Sequence, residues 1–260
     1  MARSLIGGLR ADGVAAASIR VAEPVGALRD ALQNDFGVDV MADNAAAAAG
    51  AATWVLAAKP QVLRAVCEAL AEQVQRQQPL LVSIAAGITT AQLDRWLGGG
   101  TAIVRAMPNM PALLGAGVSG LYGNARVDDA GRRRAEHLLA AAGETVWLAD
   151  ESRMDAVTAV SGSGPAYLFL LAESMLDAAR SQGLPADAAR TLVLQTLLGA
   201  ARMLTEEDAT PAELRRRVTS PGGTTQAAID AFQAGGFDHL VAAAIEAATQ
   251  RSRQLSLAND

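Results

Sequence analysis

The feature that most constrains this fold is a change of rhythm near residue 150. Before it, short apolar, β-branched runs alternate with helical stretches; after it, nothing reads as a strand. Residues 18–22, 38–41, 53–57, 80–84, 101–106, 118–122 and 145–148 have strand length and character, and 25–36, 60–77 and 128–142 have helical periodicity. Strands spaced by helices predict βαβ units, and so a parallel sheet covered on both faces. Beyond 150, helices are predicted over 151–160, 165–182, 185–204, 211–217, 225–234 and 237–257, punctuated by Gly and Pro. The division expected is an α/β domain over 1–149 and an all-α domain over 150–260.

An α/β sheet that binds a dinucleotide ordinarily opens with a strand and a Gly-rich turn at the first helix's N-terminus, where free N–H groups hold the pyrophosphate. Here Ala2-Arg-Ser-Leu-Ile-Gly-Gly-Leu9 reads as part of that helix, stopped at Gly13, with no Gly-x-Gly-x-x-Gly before it. Either the sheet begins at Ser18 and never held a dinucleotide, or its central first strand has been removed. The second reading is preferred, and it predicts an unpaired inner edge and a weakened cofactor site.

Hydrophobic residues make up 51% of the 260 but aromatics only 3%, so the core must be built from Ala, Leu and Val. A net charge of −5 argues against nucleic acid or an anionic membrane as partner, and no apolar run approaches the ~20 residues of a membrane span. Cys67 is the only cysteine, which excludes an internal disulfide or a cysteine metal cluster and suits a reducing, cytosolic setting. His137 and His239 are isolated, so no metal site is expected. Ala-rich helical faces suit burial against a second copy, and a homodimer is expected.

Lys59 is the one lysine among 22 basic residues. With Ala57, Ala58 and Pro60 it stands at the carboxyl end of a strand, where open α/β sheets bind ligands. A cation there suits an anionic substrate; a solubilising Lys before a first-turn Pro has the same appearance. Glu23 follows another strand, placed to bond an adenosine ribose and to repel a 2′-phosphate, favouring NAD over NADP. An exposed acid turned aside by Pro24 is the alternative. Ser161-Gly-Ser-Gly-Pro165 and Ser220-Pro-Gly-Gly223 read as Gly-rich bends before helices, each offering unpaired N–H groups to a carboxylate, or serving only as an N-cap and turn.

Together, Ala57-Ala-Lys-Pro60, Ser83-Ile-Ala-Ala-Gly87, Arg105-Ala-Met-Pro-Asn109, Ser161-Gly-Ser-Gly-Pro165 and Ser220-Pro-Gly-Gly223 resemble pyrroline-5-carboxylate reductase along essentially the whole chain. The resemblance implies a Rossmann-like N-terminal domain, here lacking its first strand, and an all-helical dimerisation domain. It implies hydride transfer from NADPH or NADH to the C=N carbon of 1-pyrroline-5-carboxylate, giving L-proline, in a cytoplasmic homodimer or larger assembly of dimers. Position by position, Glu23 occupies the residue after the strand, Asn44 corresponds to a contact with the adenosine ribose or its phosphate, and Ala57, Lys59 and Ala85 lie near the nicotinamide. Ser220, Gly222, Gly223 and Thr225 correspond to the substrate site, with Glu151 bordering it. Thr225 is the candidate catalytic hydroxyl. A β-hydroxyacid dehydrogenase would need a lysine in the helical half, and none follows Lys59. A catalytically impaired, dimerising or small-molecule-binding subunit is the rival from another class.

Overall fold

The computed structural model describes residues 1–258. The chain opens with helix α1 (Ala2–Ala11), then strand β1 (Arg20–Ala22), α2 (Gly26–Phe36), β2 (Asp39–Met41) and α3 (Asn44–Ala48). It continues with β3 (Thr53–Leu56), α4 (Pro60–Gln77), β4 (Leu80–Ser83), α5 (Thr90–Trp96), β5 (Ile103–Met107), β6 (Gly117–Gly123), α6 (Asp129–Ala140) and β7 (Gly143–Trp147). The strands form two sheets: a parallel pair, β1-β2, and a five-stranded sheet in the order β3-β4-β5-β6-β7.

Alternation along β4 shows why both faces are covered. Leu81 points into a cluster with Trp54, Leu56 and Ile103, closed by Leu63, Cys67, Leu70 and Val74 of α4 and by Leu93 and Trp96 of α5. Leu80 and Val82 point the other way, to Val104, Leu121, Leu5 of α1, and Ala135 and Leu139 of α6. Burial of such side chains stabilises by about 1.5–3 kcal/mol each.

Helix α1 ties the two sheets together. Leu5 belongs to the core of the larger sheet, while Ile6 packs with Leu32 and Val38 beside the smaller one. Its approach to α6 requires Gly8, where a Cβ would lie 1.9 Å from the carbonyl oxygen of Ala141. Strands β1 and β3 are not hydrogen-bonded to each other, so each keeps an edge without a strand neighbour. The order β2-β1, then β3-β4-β5, is that of a doubly wound sheet with one position open between β1 and β3.

One expectation is corrected. The sheet is mixed, because β5 and β6 run antiparallel, with Arg105 opposite Tyr122 and Met107 opposite Gly120. Their connection, residues 108–116, carries only a 3₁₀ segment (Met110–Leu114), whereas a parallel crossover needs about a dozen residues or more. Helix α5, absent from the sequence reading, starts at a capping box in which Thr89 and Gln92 bond reciprocally.

Cys67 is fully buried, and its thiol is pushed from its ordinary 9.0 up to about 12, first by burial and then by the nearby Glu68 carboxylate. A chromogenic thiol reagent at about pH 8 is therefore expected to leave the native protein unmodified and to react once denaturant is added. Raising the pH from the ordinary thiol value towards 12 removes stability, because the unfolded thiol ionises where the buried one stays protonated. Rapid labelling of the native chain would contradict this.

After β7 the chain is helical: α7 (Met154–Val157), α8 (Gly164–Ser181), α9 (Ala186–Glu206), α10 (Pro211–Arg217), α11 (Thr224–Ala234) and α12 (Phe237–Ala258). Two compact units result. One comprises Met1–Ser163 together with the last turns of α12 from Ala247; the other is Gly164–Glu246. The second unit buries few apolar side chains, Ala172, Ala189, Val193 and Leu214, and leaves Leu168, Phe169, Leu170, Leu198, Leu240 and others exposed. No helix among the described residues is long and apolar enough to cross a membrane.

Candidate active site

The carboxyl ends of β1, β3 and β4 carry the residues expected to meet a dinucleotide. After β1, Glu23 is half-buried, and its Oε1 accepts from the Val25 N–H at 2.9 Å. The acid expected to exclude a 2′-phosphate is thus bonded to its own turn. Arg29 wraps the same turn, its Nη1 donating to the carbonyls of Glu23 at 2.8 Å and Pro24 at 2.9 Å. Asn44 is exposed in the first turn of α3, whose N-cap Asp43 accepts from the Ala46 N–H.

After β3, Ala57 and Lys59 are exposed, and Pro60 opens α4. After β4, Ala85 is buried in the core, its N–H 3.4 Å from the Ser83 hydroxyl, and Ala86 is the exposed member of the pair. Small side chains at both strand ends leave the backbone open to a planar ring. Helix α1 begins at Ala2 and is followed in the chain by strand β1. A helix feeding a parallel strand runs back along the sheet, which brings this end to the side of the carboxyl termini. The residues present fit the two ends of a dinucleotide: Glu23, Arg29 and Asn44 for the adenosine end, and 57–59 and 85–86 for the nicotinamide end.

In the second unit, Ser220-Pro-Gly-Gly223 forms a tight turn closed by Gly223 N–H donating to the Ser220 carbonyl at 3.0 Å. Pro221 presets the first turn position, and Gly222, at φ 70°, takes the left-handed one that a Cβ would disfavour. Gly223 is the N-cap of α11 and has no side chain with which to cap it. The opening N–H groups of α11 are thus offered to an anion, with Thr225 half-buried on the same turn.

The other Gly-rich segment is not a bend with free N–H groups, and this corrects the sequence reading. Residues Thr158–Gly162 form a π-helical turn between α7 and α8, and Ser163 N–H donates to the Thr158 carbonyl at 2.8 Å. Pro165 explains it. Its nitrogen has no hydrogen for the Ser161 carbonyl four residues back, and its ring crowds that carbonyl. Asn109 Nδ2 donates to the Ser161 carbonyl instead, at 3.2 Å, while Asn109 Oδ1 accepts from the Val118 N–H at 3.0 Å.

Glu151 lies in the first unit and Ser220, Gly222, Gly223 and Thr225 in the second. Both Glu151 oxygens are engaged: Oε1 accepts from the Thr90 N–H at 2.8 Å and pairs with Arg105 Nη1 at 3.2 Å, and Oε2 accepts from the Thr90 hydroxyl at 2.6 Å. The sequence reading assigned no role to Arg105, Thr90 or Asn109. A signal for Arg105 existed, since an arginine inside an otherwise apolar buried strand demands a partner.

A doubly wound sheet with open strand ends, joined to a helical unit rich in exposed apolar side chains, is the architecture of an NAD(P)-dependent oxidoreductase. Comparison with known proteins agrees. Residues 1–87 match the family NADP oxidoreductase coenzyme F420-dependent, and residues 151–255 match the family described as pyrroline-5-carboxylate reductase dimerisation. The pyrroline-5-carboxylate reductase of Pseudomonas aeruginosa is 55% identical over 256 residues, 98% of this chain and 93% of that protein. The solved structure of a pyrroline-5-carboxylate reductase from Coxiella burnetii is 39% identical, with a TM-score of 0.94 over 98% of this chain and 94% of that one. Pyrroline carboxylate reductase from Plasmodium falciparum with NADP bound is 27% identical, with a TM-score of 0.85 over 98% and 94% of the two chains. The chain belongs to the pyrroline-5-carboxylate reductase family.

Proposed function

We infer that this chain reduces 1-pyrroline-5-carboxylate to L-proline with NAD(P)H, as a homodimer or an assembly of dimers in a reducing, cytosolic compartment. The observation that carries the reading is the uncapped start of α11 behind the Ser220–Gly223 turn, a grip for a small carboxylate in a protein whose other unit is built for a dinucleotide.

A protonated imine is already electrophilic, so its reduction needs alignment more than activation. When bound, NAD(P)H would supply a hydride to the C=N carbon, with the π electron pair passing to nitrogen. The opening N–H groups of α11 hold the substrate carboxylate, with Ser220, Gly222 and Gly223 shaping the turn that presents them. As the hydride arrives and the ring nitrogen gains a lone pair, the Thr225 hydroxyl donates a hydrogen bond to it. Ala57, Lys59 and the backbone at Ala85 flank the nicotinamide, and Asn44 faces the adenosine ribose. Arg29 supports NADPH as the preferred donor, since a guanidinium beside the strand-end turn can pair with a 2′-phosphate while Glu23 is turned to its own backbone. The exposed apolar side chains of α8, α9 and α12 support association with a second copy.

The position open between β1 and β3 favours a second reading, a dimerising subunit with impaired dinucleotide binding. Titration calorimetry with NADPH and NADH, followed by an assay of nicotinamide oxidation on adding pyrroline-5-carboxylate, decides between them. Binding with turnover, and a lower KM for NADPH than for NADH, is expected. A chain that dimerises but binds neither nucleotide is the second reading and not the first.

A further inference from the structure

The loop after β4, residues 84–89, is rooted in the core by the fully buried Ile88, but Ala85, Ala86 and Gly87 at its centre carry no large side chain. It is held from outside at two places. At its end, the Glu151 carboxylate takes both the main-chain N–H and the hydroxyl of Thr90 and is itself paired with Arg105, whose side chain is only 5% exposed. Arg105 lies on β5 directly beside Ser83, the residue from which the loop departs. One carboxylate therefore links the far end of the loop to the strand next to its beginning. At its centre, the last turns of α12 close over it. A Cβ on Gly87 would sit 3.4 Å from the Leu255 Cβ, and the buried Gln92 side chain donates to the Ser256 carbonyl at 3.0 Å. That turn of α12 is pinned in its place by the Ser252 hydroxyl, which donates to Asp155 at 2.7 Å.

We propose that Glu151 is a positioning residue, which through Thr90 and Arg105 fixes the loop that receives the nicotinamide end of the dinucleotide, and that it makes no contact with the imino acid. The inference rests on the reading above that this loop faces the nicotinamide. Its physical content is a separation of roles. A carboxylate bordering the substrate would keep an oxygen free for it, whereas Glu151 spends both on the protein. Loss of its charge loosens the loop before the substrate arrives.

The test uses full-length Glu151→Gln, which keeps the side chain's shape, and the milder Thr90→Val, which keeps the main-chain bond. Hydrogen exchange on the free protein is expected to rise across residues 84–92 by about tenfold or more in Glu151→Gln, as for a lost charge-assisted bond, and by less in Thr90→Val. NADPH affinity is expected to fall in the same order, while the KM for pyrroline-5-carboxylate at saturating NADPH stays within about twofold. Unchanged exchange over 84–92, or a rise confined to the imino-acid KM, overturns the proposal and makes Glu151 a substrate contact. A wild-type chain that binds neither dinucleotide sinks the functional reading beneath it instead, and the exchange data then show whether the clamp itself exists.

Discussion

Replacing Thr225 with valine is expected to lower kcat for imine reduction by about 100-fold, the loss typical of one preorganised hydrogen bond at a reacting centre. Valine matches threonine in shape, so the opening turn of α11 keeps its geometry. Its N–H groups, which no side chain caps, still hold the carboxylate, and KM for the imino acid should move little. The affinity for NADPH should not change, because Thr225 lies in the helical unit and the dinucleotide residues in the other. Thr225→Ser restores the oxygen without the methyl group and should recover most of the rate. Steady-state kinetics of the three proteins, with quantified active protein, settles the matter. A valine variant within about twofold of wild type would remove Thr225 from the chemistry and leave the α11 N–H groups as the whole of the substrate site.

What was legible in the sequence follows the physics of each element. The strands of the five-stranded sheet were readable, the central ones because burial on two faces makes them continuously apolar, as in Leu80–Ser83. Strand direction was not. A strand's residues carry no record of which way it runs, and β6 is antiparallel only because nine residues separate it from β5. That spacing was on the page as a number, and it outranks the general rhythm of βαβ. Helix α5 was missed since a seven-residue helix shows barely two turns of periodicity, although its Thr89-Thr-Ala-Gln92 capping signature was present. The π-helical turn was missed for a different reason. Pro165 was taken as a helix opener, which it is, but the proline four residues after Ser161 also silences a helical bond, and only a tertiary partner, Asn109, shows where that carbonyl goes. Glu23 illustrates the limit for side chains: the sequence locates it at a strand end, whereas its hydrogen bond to Val25 depends on the turn that Pro24 creates.

The pair Arg105–Glu151 should give the largest loss of stability, and an unequal one. Breaking a buried pair by removing one partner costs about 3–5 kcal/mol, because the survivor stays charged without water. Here the survivors differ. Glu151→Leu leaves a guanidinium that is 5% exposed and has no second carboxylate among its described partners, which places this variant at the upper end of that range. Arg105→Leu leaves a carboxylate that is 20% exposed and still accepts from both donors of Thr90, so its loss should fall at or below the lower end. For a chain of this size, about 2–4 °C of Tm per kcal/mol makes the first variant melt roughly 10–20 °C below wild type and the second markedly closer to it. The double variant Arg105→Leu with Glu151→Leu should regain part of what Glu151→Leu alone loses, since a packed apolar pair strands no charge. The coupling free energy from this cycle measures the pair directly. Single variants that melted together would refute the predicted inequality, and a double variant that fell by the sum of the two would make the guanidinium and carboxylate independent neighbours.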